Sequence, residues 1–133
     1  MKRLLAGALL AAADLCGACE PALEGAPLAR IDSPRYVLAF RTEPARVAVG
    51  EHFALLVAAC GKDNGEPPSE LRVDAHMPAH RHGMNYAASV EPLAPGRWRA
   101  EGLLFHMPGD WEFLFDLRGA GPTERLSYPY RLE

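Results

Sequence analysis

The chain has 133 residues, 49% apolar and 23% charged, with a formal net charge of −3 and an isoelectric point near 5.9. That length suits one domain, the composition is globular rather than disordered, and the charge excludes a strongly basic nucleic-acid binder. A domain of this size buries roughly two-thirds of its unfolded surface, enough for one core.

Lys2 and Arg3 lead into Leu4 to Ala13, an apolar run too short to cross a membrane as a stable helix. A charged start followed by a short apolar run reads as a secretory signal, residues 1–19. Cys16-Gly17-Ala18-Cys19 resembles a bacterial lipoprotein cleavage box and makes Cys19 the candidate for lipidation, although leucine is usual where Cys16 stands. Plain cleavage after Ala18 is the alternative. Both readings predict export to the periplasm or cell envelope, with membrane attachment only through a lipid on Cys19. With Cys16 removed and Cys19 modified, Cys60 would have no partner. It closes the apolar run from Phe53, which predicts a buried free thiol.

Residues 20–35 hold three prolines and no sustained periodicity, and read as a tether. The domain is expected over 36–133. Tyr36 to Arg41 is a strand, Arg46 to Val49 alternates as another, and His52 to Cys60 is apolar on both parities, as in a central strand covered on both faces. Gly61 to Ser69 carries Asp63-Asn64-Gly65 and Pro67-Pro68 and is a loop. Leu71, Val73, Ala75 and Met77 alternate with Arg72, Asp74 and His76, which puts Met77 in the core set and His76 in the polar set. Tyr86 to Glu91 and Arg97 to Phe105 form a hairpin about Pro95-Gly96. Trp111, Phe113, Phe115 and Leu117 alternate with polar neighbours, and Leu126, Tyr128, Tyr130 and Leu132 repeat the period. Pro129 marks that last strand as an edge, because proline cannot donate to a ladder. About seven short strands and no helix of ordinary length predict an all-β, immunoglobulin-like β-sandwich.

The chemistry gathers at His76-Met77-Pro78-Ala79-His80-Arg81-His82-Gly83-Met84, where three of the five histidines and two of the four methionines fall. In an extended segment His80, His82 and Met84 share one face, with the histidine Cβ atoms about 6–7 Å apart. Gly83 permits the turn that would bring Met84 inward. Imidazole and thioether together suit copper, Cu(I) above all, with zinc second because zinc rarely takes thioether. His-Met-Pro recurs at His106, so His106 and Met107 are candidates from a second segment, and His76 completes the set. His52 reads as structural. Enzyme readings fail on spacing. A His-x-His-x-Asp-His hydrolase needs aspartate where Met84 stands, a cupin needs glutamate closer than Glu91, and there is no phosphate-cradling glycine loop. The alternative to metal binding is a protein-interaction module of the cell envelope, with the His/Met loop as contact surface.

Met77-Pro78-Ala79-His80-Arg81-His82-Gly83-Met84, then Gly96-Arg97-Trp98, then Phe105-His106-Met107-Pro108-Gly109-Asp110-Trp111-Glu112 resembles the YtkA-like domain family, which overlaps the FixH-like proteins. The likeness runs from Tyr36 to Leu132. It implies a small exported or membrane-anchored β-sandwich that handles copper or delivers it to a recipient such as an oxidase. On that resemblance His80, His82 and Met84 are the ligands, and Met107 to Trp111 is the family's structural turn. The chain departs from FixH proteins in showing no run that matches their transmembrane helix.

Overall fold

The computed structural model describes residues 18–133. Most of the signal region, Cys16 included, lies outside the described residues. Nine strands form two antiparallel sheets, with no helix among the described residues. Their ranges are β1 Ala29–Asp32, β2 Tyr36–Glu43, β3 His52–Gly61, β4 Glu70–Met77, β5 His82–Gly83, β6 Ser89–Ala94, β7 Arg97–Leu104, β8 Gly109–Arg118 and β9 Glu124–Leu132. One sheet runs β1-β2-β3-β7-β6 and the other β5-β4-β8-β9, packed as a β-sandwich.

The period of two decides which side chains fill the space between the sheets. Leu38, Phe40, Leu55 and Leu103 from the first sheet meet Ala75, Met77, Trp111, Phe113, Phe115 and Leu117 from the second. The aromatic rings lock together at this seam. Phe40 lies 5.6 Å from Phe113, edge to face, and Phe105 stacks on Trp111 at 4.3 Å. Each such buried side chain contributes about 1.5–3 kcal/mol relative to exposure. Met77 is 1% exposed, in the core as its parity required. Gly109, at φ 131°, sits against it, and a Cβ there would meet the Met77 methyl at 2.7 Å.

Several expectations need correction. Residues 20–35 are not a free tether. Ala29–Asp32 pairs with β2 in the register Ala29↔Phe40 to Asp32↔Val37, and only four residues of pairing leave little trace in sequence. Arg46 to Val49 is a turn region whose Val47 nonetheless reaches the core. Tyr86 lies outside any strand, and β6 begins at Ser89 and passes through Pro92, tolerated because β6 is an edge. Pro129 also lies in an edge strand, β9, as expected.

The cysteine reading changes most. Cys19 and Cys60, 41 positions apart in sequence, form a disulfide with Cα atoms 5.9 Å apart. Cys60 is therefore not a free thiol. A sulfur held in this bond cannot also carry a thioether lipid, so the structure is incompatible with lipidation of Cys19. The physical reason lies in parity: Val57 and Ala59 face the core, so Cys60 points to the outer face of β3, where residues 18–28 cross.

Candidate metal centre

One end of the sandwich collects the segments that carry histidine and methionine. β4 ends at Met77, the turn at 78–81 follows, and the short β5 folds back on β4 with Met77↔His82 and His76↔Gly83 opposite one another. The turn closes by a hydrogen bond from the His80 amide to the Met77 carbonyl, 3.1 Å, with Arg81 at φ 53°. The Met84 amide then donates to the Ala75 carbonyl at 3.3 Å. Directly opposed residues in an antiparallel pair share a face. His82 thus lies on Met77's core-facing side, and His76 on the outer face.

That pairing divides the six candidate ligands. His82 lies 5.7 Å from His80 and 5.1 Å from His106, ring centroid to ring centroid. His106 comes from the segment between β7 and β8, so residues 24 apart in sequence meet here. Trp111 forms the floor. Its indole meets His82 at 6.0 Å and His106 at 5.5 Å, both edge-on, and its Nε1 donates to the Met107 carbonyl at 3.0 Å. Met84 and Met107 are half-buried, packed against the core at the same end. His76 stands apart. Its Nε2 is 3.5 Å from Glu112 on the outer face of β8, too poorly directed for a hydrogen bond.

The donor set can be tested against a metal. An imidazole nitrogen binds at about 2.0–2.1 Å, which puts two rings on a tetrahedral ion with centroids about 5 Å apart. The His82–His106 and His80–His82 separations match that spacing. His106 Nδ1 is shielded from solvent and has no hydrogen-bond partner, a cost that a bound cation would remove. The ring nitrogens do not yet converge: among the described residues no three His, Cys, Asp or Glu side chains form a metal-ready group. Rotation of the exposed His80 and the half-buried His82 is required, and the Met84 and Met107 thioethers stand at the same end as further donors.

Sequence reasoning missed Trp111 as part of the site. The signal was present, since an indole in a core strand must place its N–H, and the preceding turn offers the nearest free carbonyl. His52, read as structural, pairs with Leu104 at the start of β3 and lies 5.8 Å from the exposed ring of Tyr86.

Fold and site together define a two-sheet β-sandwich that carries a histidine–methionine cluster at one end. No family model, curated protein or solved structure matches the chain.

Proposed function

We propose that this chain is an exported copper-binding protein of the YtkA-like kind, with an immunoglobulin-like sandwich, that carries metal and hands it to a recipient protein of the cell envelope. The observation that carries the reading is the approach of His106 to His82, 5.1 Å between centroids, at the end where His80, Met84 and Met107 also lie. Imidazole with thioether favours copper, Cu(I) before Cu(II), and zinc less. His80, His82 and His106 supply nitrogen, and Met84 or Met107 completes the shell. His80 is exposed at the tip of its turn, open to a partner's ligands, which suits exchange rather than turnover. His76 belongs to the outer face and is left out of the set.

The test is a competition titration of copper(I) against a chromophoric chelator, with His80→Ala/His82→Ala beside the parent. One equivalent bound by the parent and lost in the double variant, with unchanged far-UV circular dichroism, is expected. Equal binding by the two proteins refutes the site. No stoichiometric binding by the parent transfers the reading to the interaction module.

A further inference from the structure

The outer face of the first sheet is charged along much of its area, with Arg41, Glu43, Arg97 and Arg99 standing on it, but it also carries an apolar strip. Tyr36, Leu38 and Phe40 fill the core, so Val37 and Ala39 point outward, yet both are buried. On β3 the same holds for Ala58. Arg30 and Arg97 flank Ala39 and Ala58 across the ladder, and the N-terminal segment, residues 18–28, runs over this side of the sheet, with Ala18 and Cys19 beside Val37. Pro21 is buried and Leu23 half-buried, and Leu23 lines a small cavity with Leu56 and Trp98. The Glu24 carbonyl accepts a hydrogen bond from Arg41 Nε at 2.7 Å, and its carboxylate reaches Arg97 at 3.2 Å. At one end the Leu28 amide donates to the Phe40 carbonyl, where the segment enters β1. At the other, Cys19 is bonded to Cys60.

The ties differ greatly in strength. The Glu20–Arg30 and Glu24–Arg97 pairs have acids 76% and 79% exposed, and pairs of that kind hold little. Within residues 18–28 the backbone makes few ladder bonds, so the segment is hinged at Leu28 and held at its far end by one covalent link. Cys19 and Cys60 are each only half-buried, within reach of a thiolate.

We propose that residues 18–28 are a redox-released strap, latched over the outer face of the first sheet by Cys19–Cys60 and freed by a dithiol reductant. One thiolate of the reductant attacks a sulfur of the pair and forms a mixed disulfide, expelling the other cysteine as thiolate. The second thiolate of the reductant resolves that bond. Cys19 and Cys60 end as thiols, the reductant ends as a disulfide, and two electrons have passed with no net proton change. Release uncovers the Val37, Ala39 and Ala58 strip while the two-sheet core stays closed. This proposal is independent of metal binding.

The experiment is backbone 15N relaxation on the metal-free protein, oxidised and then treated with dithiothreitol, after peptide mass mapping of the cysteine pairing. Order parameters for Ala22 to Ala26 should fall from about 0.85 to below about 0.6 on reduction, with those of β2, β3 and β7 unchanged. Cys19→Ser/Cys60→Ser should reproduce the reduced values without reductant. If that variant does not fold, the dithiothreitol arm on native protein still decides. The proposal is overturned by strap order unchanged on reduction, by loss of order throughout the sandwich, or by a mapping that pairs Cys16 with either cysteine.

Discussion

Replacing His82 with alanine should weaken copper(I) binding at least about 100-fold, and replacing His76 should change it by less than about 3-fold. The two residues are six apart in sequence, His82 read as a first-rank ligand and His76 as one that could complete the set. Across the β4–β5 ladder they part: His82 opposes Met77 on the core side, and His76 opposes Gly83 on the outer side beside Glu112. His82 is the middle ring of three, so its removal takes the nearest imidazole from both His80 and His106. Loss of a supporting partner alone costs metal sites about 10–100-fold, and loss of the shared ligand should reach the top of that range, about 2.7 kcal/mol. Both side chains are only half-buried, so neither change should move folding stability by more than about 0.5 kcal/mol. Anaerobic chelator competition reads the affinities, and urea melts without metal check the fold. Equal losses in the two variants would refute the assignment of faces, and with it the exclusion of His76.

Three further outcomes follow from the same geometry. Trp111→Phe removes the hydrogen bond to the Met107 carbonyl and should cost about 1 kcal/mol in a urea melt, with copper affinity falling about 10-fold as the 105–108 segment loosens. Met77→Ala empties a site in the closed core and should destabilise by about 2–5 kcal/mol, read as a lower urea midpoint at unchanged slope. Asp116 accepts two hydrogen bonds from Arg125, at 2.6 and 2.7 Å, which hold its carboxyl below the ordinary value of 3.8. A lowered folded-state pKa lends stability above the unfolded value that is lost as pH falls through the folded one. The stability gap between wild type and Asp116→Asn should therefore be full at about pH 6, begin to shrink near 3.8 and close as pH falls through the lower folded-state value, as followed by thermal melts from about pH 6 down to about pH 2.

The parts of the fold legible in sequence were those where one side chain in two meets the core. Trp111 to Leu117 and Leu71 to Met77 declared strand, face and burial from alternation alone, because each strand has one wet side. His52 to Cys60 declared itself covered on both faces, but nothing local named the cover. Residues 18–28 provide it through a partner 41 residues away, and long-range pairing carries no periodic signal. The same blindness hid β1, whose four residues take their order from β2. At the site, His80 and His82 were visible as a pair, whereas the arrival of His106 depends on how β7 and β8 leave the sandwich, a matter of tertiary closure.

The prolines at positions 92 and 129 have an outcome beyond their own strands. A sheet that ends in an unpaired ladder can recruit the same ladder from another molecule, and repeated recruitment builds fibres. Here the two longer outer strands, β6 and β9, each contain a residue with no amide hydrogen to offer, while the other two, β1 and β5, are four and two residues long. Among the described residues every outer rail is either interrupted or too short to seed an added strand. The described residues can thus be crowded at high concentration with their sheets facing one another and still offer no continuous edge along which to polymerise.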